Sequence, residues 1–269
     1  MPIVAVAAGR GIVPGRVLLL WALFGAFGGA VAYRLADRLL EGESAGPIGW
    51  TPRCTRCGRA ESPLRRIALL AFVLRRRCPG CGLGPSRRQA AVELLAAVLI
   101  ALLAWRIDDP VQAGIHALAT LVLLATTLTD LRARLIPNAL TYPASLAALA
   151  ASALPGGIGP LDAVGGGLAA GLIAVGMLLL GLFMYRRADV FGMGDVKLAL
   201  FIGLVAGSPL PFLPSAVPPR ALWAIAAGIV AGGVIGMILV VAGRSSRSTM
   251  PYGPALAIGA YLVFLLRPV

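Results

Sequence analysis

Charge is scarce in this 269-residue chain: 13% of residues are charged, only 11 are Asp or Glu, and there is one histidine. Water-soluble domains carry about a quarter of their residues as charges, so a single water-soluble core is excluded. Lysine is nearly absent as well, Lys197 being the only one. No convincing internal repeat occurs, and the one low-complexity stretch is the Pro-rich segment 209–219. A repeat array is therefore not expected.

Apolar residues fill the space that charge leaves. They make up 59% of the chain, with a mean hydropathy of +0.89. They come in uninterrupted runs near 20 residues, which at 1.5 Å rise per residue match the roughly 30 Å hydrocarbon core of a bilayer. The fold class this predicts is all-α, a polytopic membrane helix bundle of about eight spans with a small zinc-binding loop domain. The spans fall at 17–36, 89–105, 111–129, 138–154, 161–185, 196–216, 221–243 and 252–267. The sixth is the weakest, because Pro209, Pro211, Pro214, Pro218 and Pro219 follow its apolar start. A broken or re-entrant helix is expected there, tolerated where protein covers the freed backbone groups. Pairs of small residues at four-residue spacing (Gly25 and Gly29, Gly167 and Gly171, Gly228 and Gly232) allow close helix packing within the bundle.

A net charge of +13 suggests a polyanion partner until it is partitioned. Eight spans make the loops alternate. One set holds five basic residues: Arg10, Arg16, Arg106, Arg220 and Arg267. The other holds 19, including ten arginines from Arg53 to Arg88. This bias places the second set in the cytoplasm and both termini outside. The excess is then a topology signal with anionic lipid as counter-charge, and no nucleic-acid partner is expected. Ala30-Val31-Ala32 resembles a signal-peptide cleavage site, but cleavage there would export a loop containing Arg75, Arg76 and Arg77. Three regions result: 1–37, an N-terminal segment with the first span; 38–88, a cytoplasmic loop; and 89–269, a core of about seven helices.

All four cysteines lie in that loop, as Cys54-x2-Cys57 and Cys78-x2-Cys81. Two such turns offer four thiolates to one ion, the arrangement of structural zinc sites, and Gly58, Gly80 and Gly82 suit the tight backbone. Two disulfides are the alternative, and would require an oxidising compartment. A four-thiolate site has no open position, so the metal would fold the loop and take no part in chemistry.

With so few acids, each can be placed. Asp108, Asp109 and Asp162 fall at exterior turns or helix starts. Asp37, Glu41, Glu43 and Glu61 fall with the exposed loop, and Asp189 beside Arg186 and Arg187. Three remain. Asp130 closes the third span, Asp195 opens the sixth within Gly192-Met193-Gly194-Asp195, and Glu93 lies near the start of the second. Two spans separate Asp130 from Asp195, so both end on one face of the membrane in either orientation. Two carboxylates brought together at a low-dielectric boundary share a proton, so that one activates water while the other donates to a carbonyl oxygen. The competing reading has each aspartate capping a helix or pairing with Arg132, Arg134, Arg186 or Arg187. His116 sits within the third span toward the other side, where an interhelical hydrogen bond is the expected role.

These residues resemble the prepilin peptidases, the type IV prepilin leader peptidases of the membrane GxGD aspartyl protease class. Asp130 with Ile136-Pro137-Asn138 and Thr141 looks like that family's first aspartate motif, and Gly192-Met193-Gly194-Asp195-Val196-Lys197-Leu198 like its second. Pro251-Tyr252-Gly253-Pro254 resembles the turn before its last span, and the paired cysteines its tetracysteine loop. Ser86, Arg88 and Glu93 fall at the family's Ser-x-Arg-Tyr-Pro-x-x-Glu spacing, with Gln89 and Ala90 where Tyr and Pro are usual. Gly28 and Gly29 stand where the N-terminal motif has Leu-Asn.

The resemblance implies cleavage of the basic leader of type IV prepilin or pseudopilin-like precursors at the cytoplasmic face of a bacterial cell membrane. It assigns Asp130 and Asp195 as the catalytic pair, with Gly192, Gly194, Lys197, Pro137, Asn138, Glu93 and Arg88 supporting the motifs. In many members it also implies methylation of the new N-terminus from S-adenosylmethionine. Two other classes compete: a zinc-stabilised membrane scaffold or assembly factor whose acids are structural, and a transporter, which would place its acids nearer mid-span.

Overall fold

The computed structural model describes residues 14–41, 53–54, 56–62, 65–185, 191–210, 219–243 and 251–266. Among them there is no strand, only an isolated bridge between Arg53 and Ala60. The helices are α1 (Gly15–Glu41), α2 (Ala68–Val73), α3 (Arg87–Arg106), α4 (Pro110–Ala133), α5 (Asn138–Ser152), α6 (Pro160–Tyr185), α7 (Met193–Ala206), α8 (Arg220–Val241) and α9 (Gly253–Leu266). Eight of them coincide with the expected spans; α2 is an addition within the loop.

Five of the eight, α1, α3, α4, α6 and α8, are long and apolar enough to cross a membrane. The protein is thus a multi-pass membrane protein; among the described residues five of these helices reach full spanning length and three are shorter. α5, α7 and α9 have 15, 14 and 14 residues, about 21–23 Å of helix, short of the hydrocarbon thickness. The sixth span shows why. α7 stops at Ala206, and Gly207 follows with φ +76, a backbone conformation that L side chains rarely adopt. The remainder of that expected span, 211–216, lies outside the described residues, as do Glu43, Arg186, Arg187 and Asp189.

Local chemistry sets the ends. Ser86 caps α3, its Oγ accepting from the Gln89 N–H at 3.3 Å. Asp109 caps α4, Oδ1 accepting from Val111 and Gln112 at 2.7 and 3.1 Å, with Pro110 in the first turn where no N–H is needed. α4 ends where Arg134 turns left-handed and returns its N–H to the Asp130 carbonyl at 2.8 Å. Pro137 precedes α5 and accepts from Leu140 and Thr141.

The packing is built on small residues, as the glycine spacing anticipated. A Cβ on Gly25 would lie 2.6 Å from the Ala96 carbonyl oxygen, so α1 and α3 meet backbone to backbone. Gly166 of α6 and Gly203 of α7 are each placed where a Cβ would overlap the other's backbone. α7 consequently sits enclosed by α5, α6, α8 and α9, and from Leu198 to Ala206 every residue except Leu200 is buried. Large side chains such as Leu20, Leu172, Val230 and Met237 point outward instead, as on a surface facing lipid.

Candidate active site

Asp130 reaches the last turn of the long helix α4, and Asp195 the first turn of the enclosed helix α7. Both carboxylates are buried, and Asp195 lies within electrostatic reach of Asp130 and Tyr252. The fold thus brings together the two acids that span parity assigned to one face.

Each carboxylate is held by a helix N-terminus. Asp130 Oδ2 accepts the N–H of Gly253, the first residue of α9, at 2.8 Å. Asp195 Oδ2 accepts the N–H of Gly192, which precedes α7, at 2.9 Å. Unpaired N–H groups and the positive end of the macrodipole make such sites favourable for a carboxylate. The capping half of the competing reading is therefore realised. The ion-pair half is not realised for Arg132, whose guanidinium pairs with Asp37 of α1 and stacks over Tyr33. Asp37, grouped from sequence with the exposed loop, instead ties α1 to the end of α4. Arg134 acts electrostatically on Asp130 from the helix end.

Gly253 has a steric role that its place in the motif did not announce. A Cβ there would stand 2.7 Å from Asp130 Oδ2 and 3.2 Å from Cγ, so the carboxylate lies directly on the glycine. Tyr252 beside it packs edge-on against Phe191 at 5.3 Å and lies within electrostatic reach of Asp195. Sequence reasoning missed Phe191 and singled out Gly253 only as part of a turn. The usable signal was a second glycine motif ahead of a short apolar helix.

The supporting residues divide. Lys197 donates to Asn138 Oδ1 at 2.7 Å and lies over the Tyr142 ring, bridging the starts of α7 and α5. Gly194 faces Ile136, where a Cβ would be 3.1 Å from the Ile136 Cβ. A Cβ on Gly192 would meet nothing nearer than 3.5 Å, at Asp195 itself.

Glu93 serves elsewhere. Fully buried, it accepts from the N–H groups of Ala68 (2.8 Å) and Leu69 (2.7 Å) and from Gln89 Nε2 (2.8 Å), so it caps α2 and pins it to α3. Arg88 is exposed. Gln89 also donates to the Arg66 carbonyl at 2.9 Å. Where Gly29 departs from the family pattern, a Cβ would lie 2.9 Å from the Glu93 Cα; the contact of α1 with α3 leaves no room for a larger residue. His116, expected to bond between helices, places Nδ1 2.8 Å from its own helix's Gln112 carbonyl and packs edge-on against Phe264.

Cys54, Cys57, Cys78 and Cys81 converge, with all four sulfurs within 4.8 Å of one another, and could hold a metal ion. They are free thiols, with Cys54–Cys81 and Cys57–Cys78 sulfurs 3.5 Å apart, beyond the length of a disulfide bond. The two turns repeat one design. Gly58 and Gly82, each at φ +69, return their N–H groups to the Cys54 and Cys78 carbonyls at 2.8 Å. The N–H groups of Gly80 and Cys81 bring the Cys78 thiol down to about 6, and those of Arg56 and Cys57 lower Cys54. The Leu83 N–H also favours the Cys81 thiolate, yet burial and the neighbouring sulfurs push that group up to about 11. Four thiolates at this spacing need a cation among them, so the donor set fits a metal.

Residues 117–266 match the profile of the type IV leader peptidase family, and residues 19–107 that of the bacterial peptidase A24 N-terminal domain. A protein of Aeromonas salmonicida (strain A449) named prepilin leader peptidase/N-methyltransferase is 33% identical over 214 residues, covering 79% of this chain and 70% of its own. Proteins of the same name from Bacillus subtilis (strain 168) and Pseudomonas aeruginosa are 30% and 27% identical. The first covers 79% of this chain and 80% of its own length, the second 92% and 88%. No solved structure matches the chain significantly.

Proposed function

Because the chain belongs to the type IV leader peptidase family and is therefore a peptidase, we propose that it is an aspartyl endopeptidase. In this reading it removes the basic leader from type IV prepilin or pseudopilin-like precursors, with Asp130 and Asp195 as the catalytic pair. The observation that carries the reading is the pair itself: two buried carboxylates from helices three elements apart, each held by one N–H at a helix start. One shared proton lets one carboxylate take a proton from water as it attacks the scissile carbonyl, while the other donates to the carbonyl oxygen; the proton then passes to the leaving amine. The site lies at the helix ends on the side of the cysteine loop. There the apolar segment of a membrane-bound precursor would meet its polar leader.

The same reading orients the chain in a bacterial cell membrane with the cysteine loop and site on the cytoplasmic face and both termini outside. It assigns zinc to the four cysteines. With all four positions taken by cysteine, such an ion would supply structure alone. The relatives' joint name favours a second activity, methylation of the new N-terminus with S-adenosylmethionine as donor. Gln89, one of the positions that depart from the family pattern, is buried with its Nε2 already donating to Glu93 and Arg66.

The test is incubation of the purified protein with a panel of prepilin-like peptides and mass spectrometry of the products. Cleavage just before the apolar segment is expected, and an added methyl group would report the second activity. A panel left intact, with the protein folded, would refute the reading.

A further inference from the structure

We propose that α2 and the turn after it form a membrane-docking wedge that seats on anionic phospholipid headgroups, in the leaflet on the side of the cysteine loop. α2 is built inside out for a water-exposed helix. Its small residues Ala68 and Ala71 are buried, while Phe72, Val73 and Leu74 are exposed, Val73 to 79%. Three consecutive large apolar side chains facing water would be a liability; facing the acyl boundary they are not.

The element is fixed to α3, a helix long and apolar enough to cross a membrane. Glu93, which pins the α2 N-terminus, is the seventh residue of α3, about 9 Å of rise from that helix's start. Interfacial helices lie about 5–10 Å into the headgroup and acyl boundary. Arg65 secures the other side, its Nη2 donating to the Leu83 carbonyl beside the second cysteine turn at 3.2 Å. The wedge, the cysteine loop and α3 are therefore one connected unit.

Charge selects the occupant. Arg75, Arg76 and Arg77 are all exposed directly after the apolar tip. The turn that presents them is a closed helix terminus, with the Arg76 N–H on the Ala71 carbonyl (2.9 Å) and the Arg75 N–H on that of Phe72 (3.1 Å). Arg75 occupies its left-handed position at φ 50, where glycine is the unstrained choice. An arginine held in that conformation points to a use for its side chain. Among the described residues, Glu61 is engaged by Arg34 and Arg65 and Asp37 by Arg132. Phosphate-bearing headgroups match three exposed guanidinium groups set beside an apolar tip.

Val73→Trp in the full-length protein, reconstituted in nanodiscs of phosphatidylglycerol and phosphatidylethanolamine, tests the wedge. Taken as the difference from the four native tryptophans, the emission of the introduced indole should be blue-shifted and quenched by brominated lipid. Native mass spectrometry should show anionic lipid retained by the parent protein and weakened by roughly fivefold for each arginine replaced in R75Q/R76Q/R77Q. Arg75→Gly should lose lipid without losing thermal stability, which a merely structural role would not produce. The proposal is overturned if the introduced indole is quenched by aqueous acrylamide and not by brominated lipid. It is also overturned if its emission shifts only when a prepilin-like peptide is added, which would make the surface a substrate site, or if Arg75→Gly retains lipid at the parent level.

Discussion

The contact between Gly253 and Asp130 yields a prediction that separates steric need from motif membership. In Gly253→Ala the new Cβ would sit 2.7 Å from Asp130 Oδ2, about 0.7 Å inside the 3.4 Å at which ordinary contacts begin. The backbone itself accepts alanine, since Gly253 is not at positive φ. Either the carboxylate or the start of α9 must move, and the 2.8 Å bond from the Gly253 N–H lengthens or breaks. A hydrogen bond to a charged group contributes about 1.5–3 kcal/mol, and a misplacement near 1 Å costs about a hundredfold in rate. Turnover of a prepilin-like peptide should therefore fall by about two orders of magnitude while KM changes little, because the loss falls on the transition state. Gly192→Ala is the internal comparison. It lies within the more familiar glycine motif, yet its Cβ would meet nothing nearer than 3.5 Å and its N–H remains on Asp195. That variant should stay within about threefold of the parent, as expected for a substitution that removes no contact. Parent-level turnover in Gly253→Ala, or an equal loss in both variants, would refute the reasoning.

Asp130→Asn and Asp195→Asn should each abolish cleavage of a co-expressed precursor while the protein still accumulates, since the amide oxygen can keep the N–H bond; cleavage in either variant would remove that residue from the chemistry. Metal analysis should find about one zinc per chain, lost in Cys54→Ser combined with Cys78→Ser, whereas a metal-free protein with two disulfides would overturn both the site and the orientation. Glu93→Ala should leave the Ala68 and Leu69 N–H groups unpaired at about 1–3 kcal/mol each. Hydrogen exchange at those amides should rise sharply with the catalytic pair intact, and unchanged exchange would show that α2 is held by other means. Lys197→Met removes one side-chain bridge to Asn138 at the edge of the site, so thermal stability should change by less than about 1 kcal/mol.

Properties set by short-range spacing were legible in the sequence. Helix positions followed from runs of apolar residues, and the cysteine pairs from two identical turns whose glycines both adopt φ +69. That Asp130 and Asp195 should end on one face followed from counting crossings, which needs order along the chain and no distances. Helix lengths were less legible, because α7 is ended by a turn at Gly207 that hydropathy does not register.

What tertiary structure alone decided are the partners of each charged group. Asp130 takes its N–H from a residue 123 positions away, Asp37 left the loop to meet Arg132, and Glu93 caps a six-residue helix 24 positions upstream. No periodicity encodes such pairs. A buried carboxylate must find a donor wherever packing supplies one, and for Asp130 that is the start of α9, which Gly228 and Gly259 let pack closely on α8.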